Sequence, residues 1–139
     1  MKIKQILIGG ILSGTGILAV SIIFSWLTQN IWQYDILGLT GMRSIDDPIC
    51  ILYFVYPWVL GFALSFAYPY FEKGLDGKSI AIGLKFGLLM WFVVGITSAF
   101  LVFSSMDYPI DFTINSVIGS LLDTLIAGII IAKTFDWIK

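Results

Sequence analysis

Four stretches of this chain, at 3–27, 49–71, 79–103 and 112–135, stay apolar for longer than a soluble core requires. A helix rising about 1.5 Å per residue needs roughly 20 apolar residues to cross a hydrocarbon core of about 30 Å. Each stretch reaches that length, and none shows the strict alternation of a barrel strand. The spacing predicts an all-α fold: an integral membrane four-helix bundle, with residues 1–139 forming one four-span domain. Composition points the same way. The chain is 58% hydrophobic and 12% charged, with a mean hydropathy of +0.95, whereas a soluble domain carries about 25% charged residues. A chain of 139 residues has too little interior to hide so much apolar surface from water.

The cations orient the bundle. Of the 8 Lys and Arg residues, only Arg43 falls in the connections after the first and third stretches. Asp35, Asp46, Asp47, Asp107 and Asp111 share that side. Lys2, Lys4, Lys73, Lys78, Lys85, Lys133 and Lys139 gather on the other. The positive-inside rule predicts cytoplasmic termini in the plasma membrane of a prokaryote. Trp26, Trp32, Tyr34 and Tyr108 suit the outer interface, and Tyr68, Tyr70 and Trp137 the inner one. Lys2 and Lys4 make the first stretch look like a signal peptide. It is too long, however, and ends in Trp26-Leu27-Thr28-Gln29 without a small-x-small cleavage site, so it reads as a retained helix. The long outer connection, 28–47, carries Ile31, Trp32, Ile36, Leu37, Leu39 and Met42, as expected of a segment on the membrane surface. Asp46-Asp47-Pro48 reads as an acidic cap followed by a proline at the first turn, and Pro57 predicts a kink deeper in the second helix.

Asp123 is the residue with the most chemistry. It lies near the middle of the fourth stretch, where a charged carboxylate costs about 2.5–3.5 kcal/mol on insertion scales. At about 100° per residue it shares a stripe with Ser116, Gly119, Ser120 and Ala127, opposite Ile118, Leu121, Leu122, Leu125 and Ile129. Two readings follow: a proton or cation site, or a hydrogen-bonded strut between helices. Lys85 is the candidate counter-ion. Its direction, away from Gly83, Gly87, Trp91, Val94 and Ser98, favours snorkelling to the headgroups instead.

Glycines mark the packing faces. Gly10 and Gly14 in the first helix, Gly83 and Gly87 in the third, and Gly119 in the fourth form small-residue seams. Such seams serve either ordinary packing within the bundle or contact with a second copy or another membrane protein. Tyr53, Tyr56 and Trp58, near Phe62 and Pro57, form a candidate pocket for an apolar or cationic ligand; interface anchoring is the plainer reading.

Several chemistries are excluded. Histidine is absent, removing the commonest general base and metal ligand. Cys50 has no thiol partner within the chain, which removes internal disulfides and dithiol redox pairs. The outer acids match no metal-binding loop spacing, and no basic run suggests nucleic acid. No cofactor or metal is implied. Small multidrug transporters carry a glutamate midway along their first helix, where this chain has Ser13 to Gly16. The glycine-arginine signature of fluoride channels is also missing, as are the basic and polar intramembrane residues of membrane glutathione transferases.

A glycine-rich first helix, a longer first outer loop, Gly87-x-x-x-Trp91 and the small-residue run Ser116 to Gly128 remain. In these the chain resembles small four-span bacterial and archaeal membrane proteins of a domain-of-unknown-function type. The aromatic motif often found after their first helix is not matched by Trp26 to Trp32, and the resemblance implies no activity. The expectation is a non-enzymatic accessory or scaffold module in the lipid bilayer, packing with itself or with another membrane protein. The alternatives are a small oligomeric transporter or channel using Asp123, and a binder of lipid or another hydrophobic ligand.

Overall fold

The computed structural model describes residues 3–29, 31, 44 and 46–138. Lys2, Trp32, Tyr34, Asp35, Arg43, Lys139 and most of the long connection lie outside that set. The described residues form four helices long and apolar enough to span a membrane, and no strand. The first is α1 (Ile3–Thr28). The second is α2 (Leu52–Phe71), entered through a 3-10 turn at Pro48–Ile51 and left through another at Glu72–Gly74. The third joins α3 (Ser79–Met90) to α4 (Thr97–Ser105) through a π-helical turn at Trp91–Ile96. The fourth is α5 (Ile110–Trp137).

Local chemistry sets the element ends. The Asp47 carboxylate accepts the Ile49 N–H at 2.9 Å, with Pro48 next to it where no N–H is needed. Gly77, at φ +127°, takes the backbone region that favours glycine and so turns the chain into α3. Helix α2 runs unbroken through Pro57 and Pro69.

The packing order is not the chain order. Helix α1 lies between α2 and α5, and α5 lies between α1 and α3, while α2 meets α3 only slightly. Glycines allow these approaches. Gly61 of α2 faces the backbone of Gly10 and Gly14, and Trp58 and Phe62 lie over those two glycines. On the other side, Gly83 and Gly128 oppose each other backbone to backbone, and Gly87 rests on the Thr124 carbonyl. Because lipid is as apolar as these side chains, such close contact supplies the attraction that water would otherwise drive. Gly119 is looser: a Cβ there would meet only the Phe24 ring, at 3.2 Å.

The core occupies one half of the bundle. Leu64, Tyr68, Phe86, Met90, Ile131 and Phe135 are buried, all toward the end that carries the termini and the α2–α3 turn. There Tyr68 packs edge-on against Phe86 and Phe135, with centroids 5.3 and 5.0 Å away, and so draws α2, α3 and α5 together. The Gln5 side-chain amide donates to the Phe135 carbonyl at 3.0 Å, tying α1 to the last turn of α5. No residue from Met106 to Asp123 is buried, and none of α4 is. The bundle is closed at one end and splayed at the other.

Candidate functional site

The splayed end holds a half-open cavity of about 230 Å³, framed by α2, the π turn with α4, and α5. Leu64, Met90 and Thr124 form its floor, and Val102, Phe112 and Thr113 stand at its mouth. From Thr124 to Phe112 the helix rises about 18 Å, so the cavity runs lengthwise as a cleft. It exists because α2 and α4 both lean on other helices and hardly touch each other.

Asp123 sits on the α5 wall of this cleft, 13 residues after Ile110 and 14 before Trp137. It is half-buried. The Ser21 hydroxyl, from α1, donates to its Oδ1 at 3.0 Å. The antiparallel pairings Gln5–Phe135, Ser21–Asp123 and Phe24–Gly119 run steadily along α1 and α5, which places Ser21 at the right level. Asp123 therefore bridges two situations, anchored to α1 on one side and exposed to the cavity on the other.

The same wall carries Thr113, Ser116, Ser120 and Thr124. Ser120 donates to the Val117 carbonyl at 3.0 Å, and Thr124 donates to the Ser120 carbonyl, also at 3.0 Å. Having used their protons on their own helix, these two hydroxyls keep only acceptor capacity on the cleft wall. The Thr113 hydroxyl oxygen is buried with no hydrogen-bond partner. Across the cleft stand Tyr56 and Leu60 from α2, and Val94, Gly95 and Ser98 from the third membrane helix.

The π turn shapes that opposite wall. Trp91 donates its indole N–H to the Val117 carbonyl at 3.0 Å, laying a large ring between the helices. Gly95 lies directly against it: a Cβ there would come within 2.7 Å of Trp91 Cδ1 and 3.0 Å of Ser120 Oγ. A wide turn is how a helix accepts one extra residue without breaking, and such turns recur at functional sites.

Compared with protein-family models, curated proteins and solved structures, this chain matches none. The site therefore has to be read from its own geometry. Among the described residues no cluster of His, Cys, Asp and Glu could hold a metal, and no Lys or Arg lines the cleft.

The residues singled out from the sequence divide into groups. Asp123, Ser116 and Ser120 share the cleft wall. Lys85 does not join them; it is exposed and donates to the Asp76 carbonyl at 2.6 Å, in the turn before α3. The helix direction anticipated that separation, because i and i+2 positions face apart. Tyr53, Tyr56 and Trp58 do not converge. Tyr56 lines the cleft, Tyr53 is exposed and packs edge-on against Phe54, and Trp58 covers Gly14 in the α1–α2 seam. Gly10, Gly14, Gly83 and Gly87 all meet helices of the same chain. Sequence reasoning missed Ser21 as the carboxylate's partner, Thr113 and Ser98 as lining residues, and Gly61 and Gly128 as the opposite halves of the glycine seams. The two glycines carried a legible signal, since each falls on an apolar helix at a seam. Ser21 stands on the small-residue stripe of the first helix, but its pairing with Asp123 depends on how α1 registers against α5.

Proposed function

We propose that this chain is a small transporter or channel in which Asp123 binds a proton or cation near the middle of the membrane. The supporting observation is the half-open cleft in which that carboxylate sits, with the Ser21 hydroxyl donating to it and no Lys or Arg among the described residues of the walls. An intramembrane carboxylate without a cation must take up a proton, a cation or water to offset its desolvation. With cytoplasmic termini, as the lysine distribution favours, the cleft opens from the outer half of a cytoplasmic membrane. Below its floor, the packed rings of Tyr68, Phe86 and Phe135 close the inner half. A complete path would need Tyr68 and Phe86 to part, or a second copy facing the cleft. The accessory-module reading is less favoured, because its seam glycines already have partners in the chain.

Purified protein reconstituted into liposomes with an internal pH dye provides the test. Imposed proton or sodium gradients should drive a flux that Asp123→Asn abolishes, while Asn, of the same shape, keeps the Ser21 contact. Unchanged flux in that variant would exclude the role of Asp123, and silence in the native protein would exclude transport.

A further inference from the structure

The chemistry of the cleft walls points beyond a bare ion. We infer that the cleft is a binding site for a protonated primary or secondary amine carrying a compact apolar body, with its ammonium at Asp123. This rests on the reading of Asp123 as a cation site and names the class of cation.

The argument is one of complementarity. On the α5 wall, Ser120 and Thr124 have given their protons to backbone carbonyls, and an ionised Asp123 can only accept. A ligand there must bring donors, and an ammonium brings two or three N–H groups at once. A hard divalent cation needs about six or more oxygen ligands, more than one carboxylate and neighbouring hydroxyls supply. The facing wall is mostly hydrocarbon, with Leu60, Val94, Ala99 and Val102 around the hydroxyls of Tyr56 and Ser98. It offers little to a hydrated inorganic ion, but a great deal to a small alkyl or aryl group. Tyr56 also lines the cleft and brings an aromatic ring to the α2 wall. At about 230 Å³ the cavity is smaller than a drug-sized pocket, which sets an upper bound near a single ring and a short chain. The Thr113 hydroxyl oxygen, which has no hydrogen-bond partner, is a further polar atom beside the mouth.

Donor demand separates this class from its near relatives. A trimethylammonium carries the same charge but no N–H, and an alcohol of the same shape carries no charge. The probe is phenethylammonium, compared at pH 7 with phenethyltrimethylammonium and 2-phenylethanol, by calorimetry on the detergent-purified protein. Phenethylammonium should bind roughly tenfold or more tighter than either, the usual loss when a charge-assisted hydrogen bond is removed. Asp123→Asn should remove binding, and size-exclusion elution must show that variant to be folded. Ser116→Ala is a milder second variant and should narrow the gap between the ammonium and its trimethyl analogue. Equal or tighter binding of the trimethyl compound or the alcohol overturns the proposal, as does full binding by Asp123→Asn. If sodium or protons drive Asp123-dependent flux while no amine binds, the amine class is wrong and the ion site stands. Amine binding without flux leaves the ligand class standing and ends the transport reading.

Discussion

At the scale of single residues, the glycines show how little room separates these helices. A Cβ on Gly83 would lie 2.6 Å from the Gly128 carbonyl oxygen, and one on Gly61 would lie 2.7 Å from both Gly10 O and Gly14 N. Backbone cannot swing aside as a side chain can, so the helices themselves would have to separate. Gly83→Ala and Gly61→Ala should each cost roughly 1–3 kcal/mol, the range for overpacking. Gly119→Ala meets only the Phe24 ring edge at 3.2 Å, and should stay within about 0.5 kcal/mol of the native protein. Thermal unfolding of the three variants in one detergent decides the matter; similar losses at Gly83 and Gly119 would contradict the geometry. Gly87 faces the Thr124 carbonyl in the same way. A large residue there would test folding before it tested assembly.

The third membrane helix behaves as two elements with different attachments. Helix α3 is held to α5 by Gly83 and Gly87 and packs its buried Phe86 on Tyr68 and Phe71 of α2, whereas no residue of α4 is buried. The π turn between them is fastened by the Trp91–Val117 bond. Trp91→Phe removes that bond, worth roughly 1 kcal/mol, and should loosen α4 while leaving α3 in place. Spin labels on a Cys50→Ser background would show it: a label at Phe103→Cys should gain mobility in Trp91→Phe, and one at Leu84→Cys should not. Equal changes at both sites would mean that the π turn holds no hinge. Truncating the core instead, by Phe86→Ala, should cost roughly 3 kcal/mol by opening a cavity between Tyr68 and Phe71.

For the molecule as a whole, the splay has a physical origin in the order of packing. Helices α1 and α5 occupy the middle, so α2 and the third membrane helix meet only where aromatic side chains span the gap. At the termini end Tyr68 and Phe86 do so, and at the other end the gap remains a cleft. Orientation is expected from charge alone and can be tested directly. On a Cys50→Ser background, Gly74→Cys should react with a membrane-impermeant maleimide only after the cells are opened, and Ser105→Cys should react in intact spheroplasts. The reverse pattern would place the termini outside and the cleft facing inward.

Length and hydropathy alone determined the four spans, because crossing a bilayer sets a threshold that no tertiary context can waive. The observed helices Ile3–Thr28, Pro48–Gly74, Ser79–Ser105 and Ile110–Trp137 begin and end within a few residues of the apolar stretches. The period of a helix also placed Asp123, Ser116 and Ser120 on one stripe and turned Lys85 away from the glycine face, since both relations are local. Which helix each stripe meets is not local. Ser21 reaches Asp123 across 102 positions of chain, and Gly61 and Gly128 acquire their importance only from the glycines opposite them. The separation of Trp58 from Tyr56 follows the same rule: neighbours on a helix face different partners once α1 takes one side and the cleft the other. In lipid, apolar faces are equivalent to the solvent, so hydrophobicity does not choose between them. Close packing and hydrogen-bond register make that choice, and only the assembled tertiary structure supplies them.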